Sequence, residues 1–313
     1  MKILVLGGNG FIGNNLLKKL STTEYEIFSF DREIPENRYE NITYFNGNFE
    51  NIKNYSNIFN NIDIVYHLIS TTIPNSNIEN VEYDIKTNLI PTINLLNICI
   101  EKKVKKIIYS SSGGAIYGNS NQNHSEKDCT LPTYPYGINK LAIEHYMEFY
   151  YKFYDLDYTS LRISNPYGSH HKNKKQGIIN VMLDKIACNE TIEIFGDGEI
   201  IRDYIYIDDV IDAFVKCINY NDNEKCFNIC SSKSYSINEL IKEISTVTKC
   251  NPKITYLPSR KFDIPVSKLD NTLAKKFLKW EPKFSIKDGI ELCWKNKLLF
   301  IEKEKLQHKK YIN

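Results

Sequence analysis

The sequence predicts an α/β fold with a doubly wound parallel sheet, and two observations support this prediction. Short runs rich in β-branched and aromatic residues alternate with longer runs whose apolar residues have helical spacing. Strands separated by helices in this way form βαβ units, in which the strands are parallel and helices cover both faces of the sheet. The 313 residues, 42% of them hydrophobic, are also enough to bury the core of such a sheet.

The individual elements follow from the same patterns. Strands are predicted at residues 2–6, 26–30, 43–45, 63–68, 106–110 and 157–162, and helices at 11–20, 51–59, 81–99 and 136–153. A further strand at 226–230 is expected to return to the sheet. The alternation weakens after Tyr167, and the region from about Ser236 onward predicts a smaller helical lobe. We therefore expect a first domain of residues 1–166 with return segments near 203–230, and a second lobe of residues 167–202 and 231–313.

Charge and composition exclude several classes of partner. Forty basic and 38 acidic residues give a net charge of +2, which does not favour nucleic acid or an anionic membrane. The apolar stretches are interrupted within about ten residues, short of the roughly 20 needed to cross a bilayer. The eight cysteines contain no CxxC pair, so we expect reduced thiols, no metal site and a cytoplasmic protein without a signal peptide.

Three glycines carry the first functional signal. Gly7, Gly10 and Gly13 follow the first predicted strand and open the first predicted helix. In this context the glycines allow a pyrophosphate to approach backbone N–H groups at the helix N-terminus, while Gly13 lets the helix pack closely. A tight turn without a ligand is the alternative. The context favours a Rossmann-type dinucleotide site.

The end of the second strand indicates which dinucleotide binds. Asp31 lies eighteen residues after Gly13, where a carboxylate can accept hydrogen bonds from a ribose hydroxyl and would repel a 2′-phosphate. The sequence therefore predicts NAD rather than NADP, although the adjacent Arg32 weakens this preference.

A tyrosine and a lysine form the candidate reaction centre. Tyr136 and Lys140 are four residues apart on a predicted helix and so share one face. A nearby ammonium and a positive nicotinamide ring are expected to lower the pKa of the tyrosine and make it a usable base. Ser112 or Ser111, at the end of the fifth strand, could bind a substrate hydroxyl there.

Taken together, these motifs resemble a known superfamily. GGNGFIG, Asp31, SSSGGAIYG, YGINK and RDYIYIDD resemble the extended short-chain dehydrogenase/reductases, and within them the nucleotide-sugar epimerases of the UDP-glucose 4-epimerase type. The resemblance covers essentially the whole chain, to about LKWEPKFSIKDGI.

The resemblance implies NAD-dependent 4-epimerisation of a nucleotide-diphosphate sugar, most simply a UDP-sugar, by a homodimer with a Rossmann-type sheet and a C-terminal substrate-binding lobe. Tyr136 would act as base and acid, Lys140 as its electrostatic partner and ribose ligand, and Ser112 would bind the 4-hydroxyl. Residues expected to bind the cofactor are Gly7, Gly10, Phe11, Ile12, Gly13, Asp31, Arg32, Asn48, Phe49, Leu68, Asn88, Ser110, Tyr136 and Lys140. Residues expected to bind the substrate are Ser111, Ser112, Asn165, Asn180, Arg202, Arg260 and Ser267.

Three positions depart from the family pattern. Asn48–Phe49 replaces the usual acidic–apolar pair near the adenine, and Thr72 replaces a lysine that some relatives have near the cofactor. Pro91 replaces a common glycine, and because proline removes a helical hydrogen bond, it predicts a kink near Asn88.

Alternative reactions remain within the superfamily. A 4,6-dehydratase needs an acidic pair after the catalytic serine, where this chain has Gly113-Gly114-Ala115, and a reductase using NADPH is disfavoured by Asp31. A non-catalytic dinucleotide sensor could have lost the Tyr/Lys pair, which this chain retains. Ser267 falls where some epimerases carry a bulky tyrosine, so we expect N-acetylated sugars to be tolerated.

Overall fold

The computed structural model describes residues 1–72, 80–169, 177–260 and 263–312. The strands are β1 (Lys2–Leu6), β2 (Glu26–Asp31), β3 (Ile42–Asn46), β4 (Ile64–His67), β5 (Lys106–Ser112), β6 (Asn123–His124), β7 (Asp157–Ile163), β8 (Asn165–Tyr167), β9 (Ile192–Phe195), β10 (Ile201–Tyr206), β11 (Cys226–Ile229), β12 (Ser234–Ser236), β13 (Ile254–Leu257) and β14 (Val266–Leu269). The α-helices are α1 (Phe11–Leu20), α2 (Val81–Asp84), α3 (Ile90–Glu101), α4 (Gly113–Ile116), α5 (Pro135–Tyr154), α6 (Ile178–Ala187), α7 (Ile207–Lys216), α8 (Ile237–Thr248) and α9 (Ile286–Ile312).

The main sheet has seven parallel strands in the order β11-β7-β5-β4-β1-β2-β3. The strand order reverses beside β1, and ligands of such sheets bind at the carboxyl ends of the strands near that point. The glycine-rich loop of residues 7–13 follows β1, and Ser112 ends β5, so the loop and the serine both lie at this edge. The predicted doubly wound α/β fold is confirmed.

Smaller sheets form beside the main one. Strands β12, β10, β14 and β6 are joined in that order, β8 also pairs with β10, and β13 pairs with β9. β10 therefore lies outside the main sheet, whereas β11 completes its edge. The predicted division of the chain into a domain and a lobe stays a prediction, since the smaller sheets draw on residues from both.

Buried apolar residues cover both faces of the main sheet. On one face, helix α1 and helix α7 pack against β1 and β4 through residues such as Leu16, Tyr66 and Phe214. On the other, α3 and α5 cover β4 and β5 through residues such as Leu95 and Met147. Within the described ranges, no helix combines the length and apolarity needed to cross a bilayer.

Two predicted helices differ from the observed ones. The helix predicted at 51–59 is a 3₁₀ segment, Phe49–Phe59, whose N-terminus is capped by the side chain of Asn48. The helix predicted at 81–99 is divided into α2, a π-helical turn at Ile85–Leu89, and α3. The π turn ends just before Pro91, so the kink predicted near Asn88 takes the form of this wider turn.

Candidate active site

The glycine loop between β1 and α1 has the geometry of a pyrophosphate cradle. Gly7 has a φ of +89°, which other residues rarely adopt, and a Cβ on Gly13 would lie 2.0 Å from the Gly7 carbonyl oxygen. Gly10 forms the N-cap of α1 without a side-chain cap, and a Cβ there would meet only the Gly7 carbonyl oxygen at 3.3 Å. The first N–H groups of α1 thus face an open approach, and these residues fit the pyrophosphate of NAD.

Asp31 holds the same loop from the end of β2. Its Oδ2 accepts a hydrogen bond from the Asn9 backbone N–H over 2.8 Å, and its Oδ1 accepts one from the Arg32 N–H over 2.7 Å. The Asn9 side chain also donates to the Glu33 carbonyl oxygen. Each carboxylate oxygen retains a further lone pair, so Asp31 can bind a ribose hydroxyl while fixing the loop.

The other residues expected near the adenosine differ in how far they are buried. Phe11, Ile12 and Leu68 are partly buried around the glycine loop, and Arg32 is exposed beside Asp31. Asn48 accepts from the Glu50 N–H and so caps the 3₁₀ segment.

The Phe49 side chain lies in the core beside Asn48. Its ring is buried against the ring of His67, with centroids 5.1 Å apart. The predicted contact of Phe49 with the cofactor stays a prediction.

Tyr136 and Lys140 lie on helix α5 at the carboxyl edge of the sheet. The Lys140 ammonium donates a hydrogen bond of 2.8 Å to the Ser110 carbonyl oxygen and lies 5.6 Å from the centre of the Tyr136 ring. It also lies 4.9 Å from the centre of the Tyr109 ring. The predicted tyrosine–lysine pair is therefore brought together, and Ser110 contributes its backbone.

The structure distinguishes between the two candidate serines. Ser112 is partly exposed at the end of β5, and its hydroxyl lies close enough to Tyr136 to lower the pKa of the phenol. Ser111 points to the other face of the strand, where its hydroxyl is buried without a partner in the described part of the chain. The substrate-binding role predicted for Ser111 stays a prediction, and Ser112 is the serine near Tyr136.

Burial dominates the electrostatics of the pair in the chain alone. It raises the pKa of Tyr136 above its usual value, and the nearby Ser112 hydroxyl opposes this effect. The lowering expected from the ammonium together with a nicotinamide ring stays a prediction for the site with NAD bound. Burial also lowers the pKa of Lys140 to about 8, so the ammonium form prevails at neutral pH.

Asn88 belongs to a polar network rather than to an open surface. Its Oδ1 accepts from the Thr71 N–H over 2.9 Å, and its Nδ2 donates to Thr71 Oγ1 and to Asp84 Oδ1, each over 2.7 Å. Thr72 donates to the same carboxylate oxygen. The predicted cofactor residue Asn88 thus fixes the loop that follows β4, and its side chain is 6% exposed.

Two arginines and Ser267 lie together on the substrate side. Arg202 on β10 and Ser267 on β14 are partners in the strand register. The positive charge of Arg260 is close enough to lower the pKa of Arg202, an effect that adds to burial. Two guanidinium groups so close together suit the oxygens of a diphosphate.

Asn165 and Asn180 have structural contacts of their own. Asn165 donates to the Asp203 carbonyl oxygen over 2.8 Å. Asn180 bonds both the N–H and the carbonyl oxygen of Gly168, so it ties α6 to the segment after β8. Their predicted roles in binding substrate stay predictions.

Sequence reasoning missed three residues at this site. Asp263 binds the Arg260 guanidinium through both oxygens, at 2.9 and 3.1 Å, and the Phe195 ring lies 4.4 Å from that guanidinium. Asp84 lines a small cavity with Tyr136 and Lys140. Asp263, three residues after Arg260, could have been found by its spacing, whereas Phe195 and Asp84 are brought in by long-range packing.

Comparison with known proteins agrees with this geometry. The sequence profile described as the NAD dependent epimerase/dehydratase family matches residues 3–230. The chain belongs to this family. The family resemblance expected from the motifs is thereby confirmed, and NAD is the cofactor.

Individual relatives in the family carry different activities. A protein from Escherichia coli named dTDP-4-dehydro-6-deoxyglucose reductase is 34% identical over 306 residues, covering 92% of this chain and 95% of its own. A putative UDP-glucose 4-epimerase from Methanocaldococcus jannaschii is 31% identical over 296 residues, covering 92% and 96%. The solved UDP-glucose 4-epimerase of Thermotoga maritima, with UDP-glucose, is 35% identical and has a TM-score of 0.89, covering 96% of this chain and 100% of its own.

Proposed function

We propose that this protein is an NAD-dependent nucleotide-sugar 4-epimerase whose reaction is carried out by Tyr136, Lys140 and Ser112. The observation that carries the proposal is their position at the carboxyl edge of the main sheet, beside the glycine loop. A hydroxyl held there can face both the tyrosine and a nicotinamide seated on the loop. NAD bound at this site supplies a reversible hydride acceptor for carbon 4 of the sugar.

Ser112, Tyr136 and Lys140 take one proton from the sugar 4-hydroxyl and later return it. Ser112 holds the 4-hydroxyl of the sugar by a hydrogen bond, and Tyr136 accepts its proton as the carbon is oxidised. The Lys140 ammonium stabilises the negative charge that develops on the Tyr136 oxygen. After the 4-keto sugar has turned to present its other face, Tyr136 returns the proton to the oxygen, and the configuration at carbon 4 is inverted.

A UDP-sugar is the substrate that the site supports best. Arg202 and Arg260 offer two cations to a diphosphate, and a guanidinium binds phosphate oxygens in a bidentate geometry. The Phe195 ring, which lies against the Arg260 guanidinium, adds an aromatic side chain beside these cations. Asn165 and Asn180 lie on the segments that border this region.

A reductase is the second candidate, because the Escherichia coli relative carries that name. Asp31 at the ribose position favours NAD, which a redox-neutral reaction regenerates without exchange. Dehydration is disfavoured further, since Gly113, Gly114 and Ala115 after Ser112 carry no carboxylate to serve as a separate acid and base.

One experiment tests the proposal against these alternatives. The purified protein is incubated with UDP-, GDP- and TDP-sugars, and inversion at carbon 4 is followed by NMR, in parallel with NADH or NADPH consumption on 4-keto sugars. We expect inversion of a UDP-sugar without net consumption of nicotinamide. Stoichiometric oxidation of NADPH with no inversion would identify a reductase instead.

We further propose that the protein is a homodimer formed through helices α3 and α5. Large apolar side chains are exposed along α5, including Ile138, Phe149 and Phe153, and α3 beside it exposes Ile90. A patch of this kind on adjacent helices is typical of an interface. Light scattering should give a mass near 73 kDa, about twice the 36.5 kDa of one chain, and Phe149→Lys should reduce it to the monomer mass.

The compartment is also proposed. All eight cysteines are free thiols, five of them buried or partly buried. Free thiols are the usual state in the reducing cytoplasm, which we propose as the location of the protein.

A further inference from the structure

A buried carboxylate lies in the wall of the cavity that holds the reaction centre. Asp84, at the end of helix α2, is 3% exposed and lines this cavity together with Tyr136 and Lys140. The helix belongs to a different part of the chain from α5, so the fold has brought the acid to the lysine from more than 50 residues away.

The hydrogen bonds that Asp84 receives in the described residues come from neutral groups. Its Oδ1 accepts from the Thr72 hydroxyl over 2.9 Å and from the Asn88 amide over 2.7 Å. These bonds orient the carboxylate without neutralising its charge. A buried, oriented carboxylate is costly unless a cation lies nearby, and Lys140 in the same cavity is such a cation.

Lys140 is a buried cation that is likewise stabilised by an opposite charge nearby. Its side chain is 6% exposed, and the hydrogen bond to the Ser110 carbonyl does not supply a negative charge. Besides Tyr136 on its own helix, it faces the phenol of Tyr109 from β5 and His67 from β4. Burial lowers the pKa of His67 to about 3, so this ring is neutral and gives no compensation.

Glu144, one turn further along α5, is the other acid that faces Lys140. Its carboxylate is already bound by the Arg162 guanidinium, through Nε at 3.1 and 3.2 Å and Nη2 at 2.7 Å. Because that charge is paired with arginine at both oxygens, Asp84 is the acid facing Lys140 whose described partners are all neutral.

We propose that Asp84 is a positioning residue for the reaction: it is the counter-ion that keeps the Lys140 ammonium protonated beside Tyr136. The inference rests on the proposed function, because it assigns Lys140 the task of stabilising charge on Tyr136. Asp84 acts through Lys140 and does not itself meet the substrate.

The electrostatics of the cavity support this role. Burial lowers the pKa of Lys140 to about 8, and Asp84 is the strongest of the charges that raise it. The same carboxylate raises the pKa of Tyr136, which directly disfavours the phenolate. It also keeps Lys140 protonated, and the Lys140 ammonium favours the phenolate. Removing the charge of Asp84 therefore has one clear effect on Lys140, which is to favour its neutral form.

The test measures Lys140 directly. Protein labelled with ¹³C at the lysine ε-carbon is titrated by NMR, and the Lys140 signal is identified by its loss in Lys140→Met. Asp84→Asn retains the shape and an acceptor oxygen but removes the charge. Glu82→Gln removes a charge from the same helix at an exposed site, where Glu82 pairs with Lys86 at the surface, and it serves as the matched control.

We expect Asp84→Asn to lower the pKa of Lys140 by roughly 1 to 3 units, as for the loss of an opposite charge from the same cavity. Glu82→Gln should leave it unchanged. An unchanged Lys140 titration in Asp84→Asn, or an equal shift in Glu82→Gln, would overturn the proposal.

A second variant separates charge from hydrogen bonding. Thr72→Val removes the hydroxyl that orients Asp84 but retains the carboxylate, so the pKa of Lys140 should stay near that of the wild type. A shift as large as that of Asp84→Asn would instead assign the effect to the network and contradict the counter-ion role. The titration needs no turnover, so a shift in a protein that inverts no sugar would refute the proposed function while leaving Asp84 as the counter-ion of Lys140.

Discussion

The Lys140 ammonium donates a hydrogen bond to the Ser110 carbonyl over 2.8 Å, and this bond ties the first half of helix α5 to the end of strand β5. Tyr136 lies one turn earlier on the helix, and Ser112 lies two residues later on the strand. The bond therefore holds the part of the helix that carries Tyr136 against the end of the strand that carries Ser112. Side chains alternate along β5, so Ser112 lies on the same face as Ser110, whereas the Ser111 hydroxyl is buried on the other.

Tyr136→Phe should abolish most turnover and leave NAD binding intact. The substitution removes the phenolic proton carrier but retains the ring, and general acid–base groups contribute roughly 10²- to 10⁴-fold to rate. Turnover is measured by NMR at carbon 4, and NAD binding by calorimetry. Tyr134→Phe is the matched control, since it removes a neighbouring hydroxyl from the same helix N-terminus. Activity of Tyr136→Phe within a factor of ten of the wild type would refute the assignment.

Local patterns were enough to predict the main sheet and the glycine loop. The strands of the main sheet are short apolar runs with clear boundaries, and they were placed within one or two residues. The helix predicted over 51–59 is instead a kinked 3₁₀ segment, in which Asn51 and Tyr55 have non-helical backbone angles. The divided helix near Pro91 was predicted as a kink, since the cause is local to the sequence.

The site could be predicted in part, for a physical reason. Tyr136 and Lys140 are four apart on one helix, so their proximity follows from spacing alone. Asp84 and Phe195 reach the site through the packing of distant elements, which a single sequence does not encode in its spacing. The balance between burial, which raises the pKa of Tyr136, and the nearby Ser112 hydroxyl, which lowers it, also depends on packing that spacing does not encode.

Gly13→Ala should destabilise the protein and weaken NAD binding. The added Cβ would lie 2.0 Å from the Gly7 carbonyl oxygen, so helix α1 must move away from the loop. Overpacking of this kind costs about 1–3 kcal/mol. Unfolding in urea and NAD titration measure the two effects. Gly114→Ala is the control, because its Cβ would meet nothing within 4 Å, and equal losses in both variants would contradict the explanation.

Activity should fall as the pH rises above about 8. The pKa of Lys140 is about 8, so below this value the ammonium is present and above it the charge is lost. A profile of kcat/KM between pH 6 and 10 measures this limb. Lys140→Arg cannot lose its charge in this range, so its residual activity should lack the limb near pH 8. The same limb in Lys140→Arg would assign it to another group.

Ser267→Tyr should shift the preference between sugars. Ser267 is small and buried beside Arg202 in the strand register, so the wild type should accept UDP-GlcNAc as well as UDP-Glc. A tyrosine in its place fills the space expected for the N-acetyl group and should lower kcat/KM for UDP-GlcNAc at least tenfold more than for UDP-Glc, a difference of about 1.4 kcal/mol. Complete rejection of UDP-GlcNAc by the wild type would refute the prediction.

Glu144→Ala should lower the free energy of unfolding far more than the loss of a surface ion pair does. Glu144 and Arg162 are each about 8% exposed, and the arginine Nη2 lies 2.7 Å from the carboxylate. Removing one partner leaves the other charge buried without compensation, at a cost of about 3–5 kcal/mol. Glu82→Ala breaks the exposed pair with Lys86 and should cost far less, because solvent screens that pair. Urea unfolding compares the two, and a loss below 1 kcal/mol in Glu144→Ala would mean that water reaches Arg162 and that the pair does not hold α5 to β7.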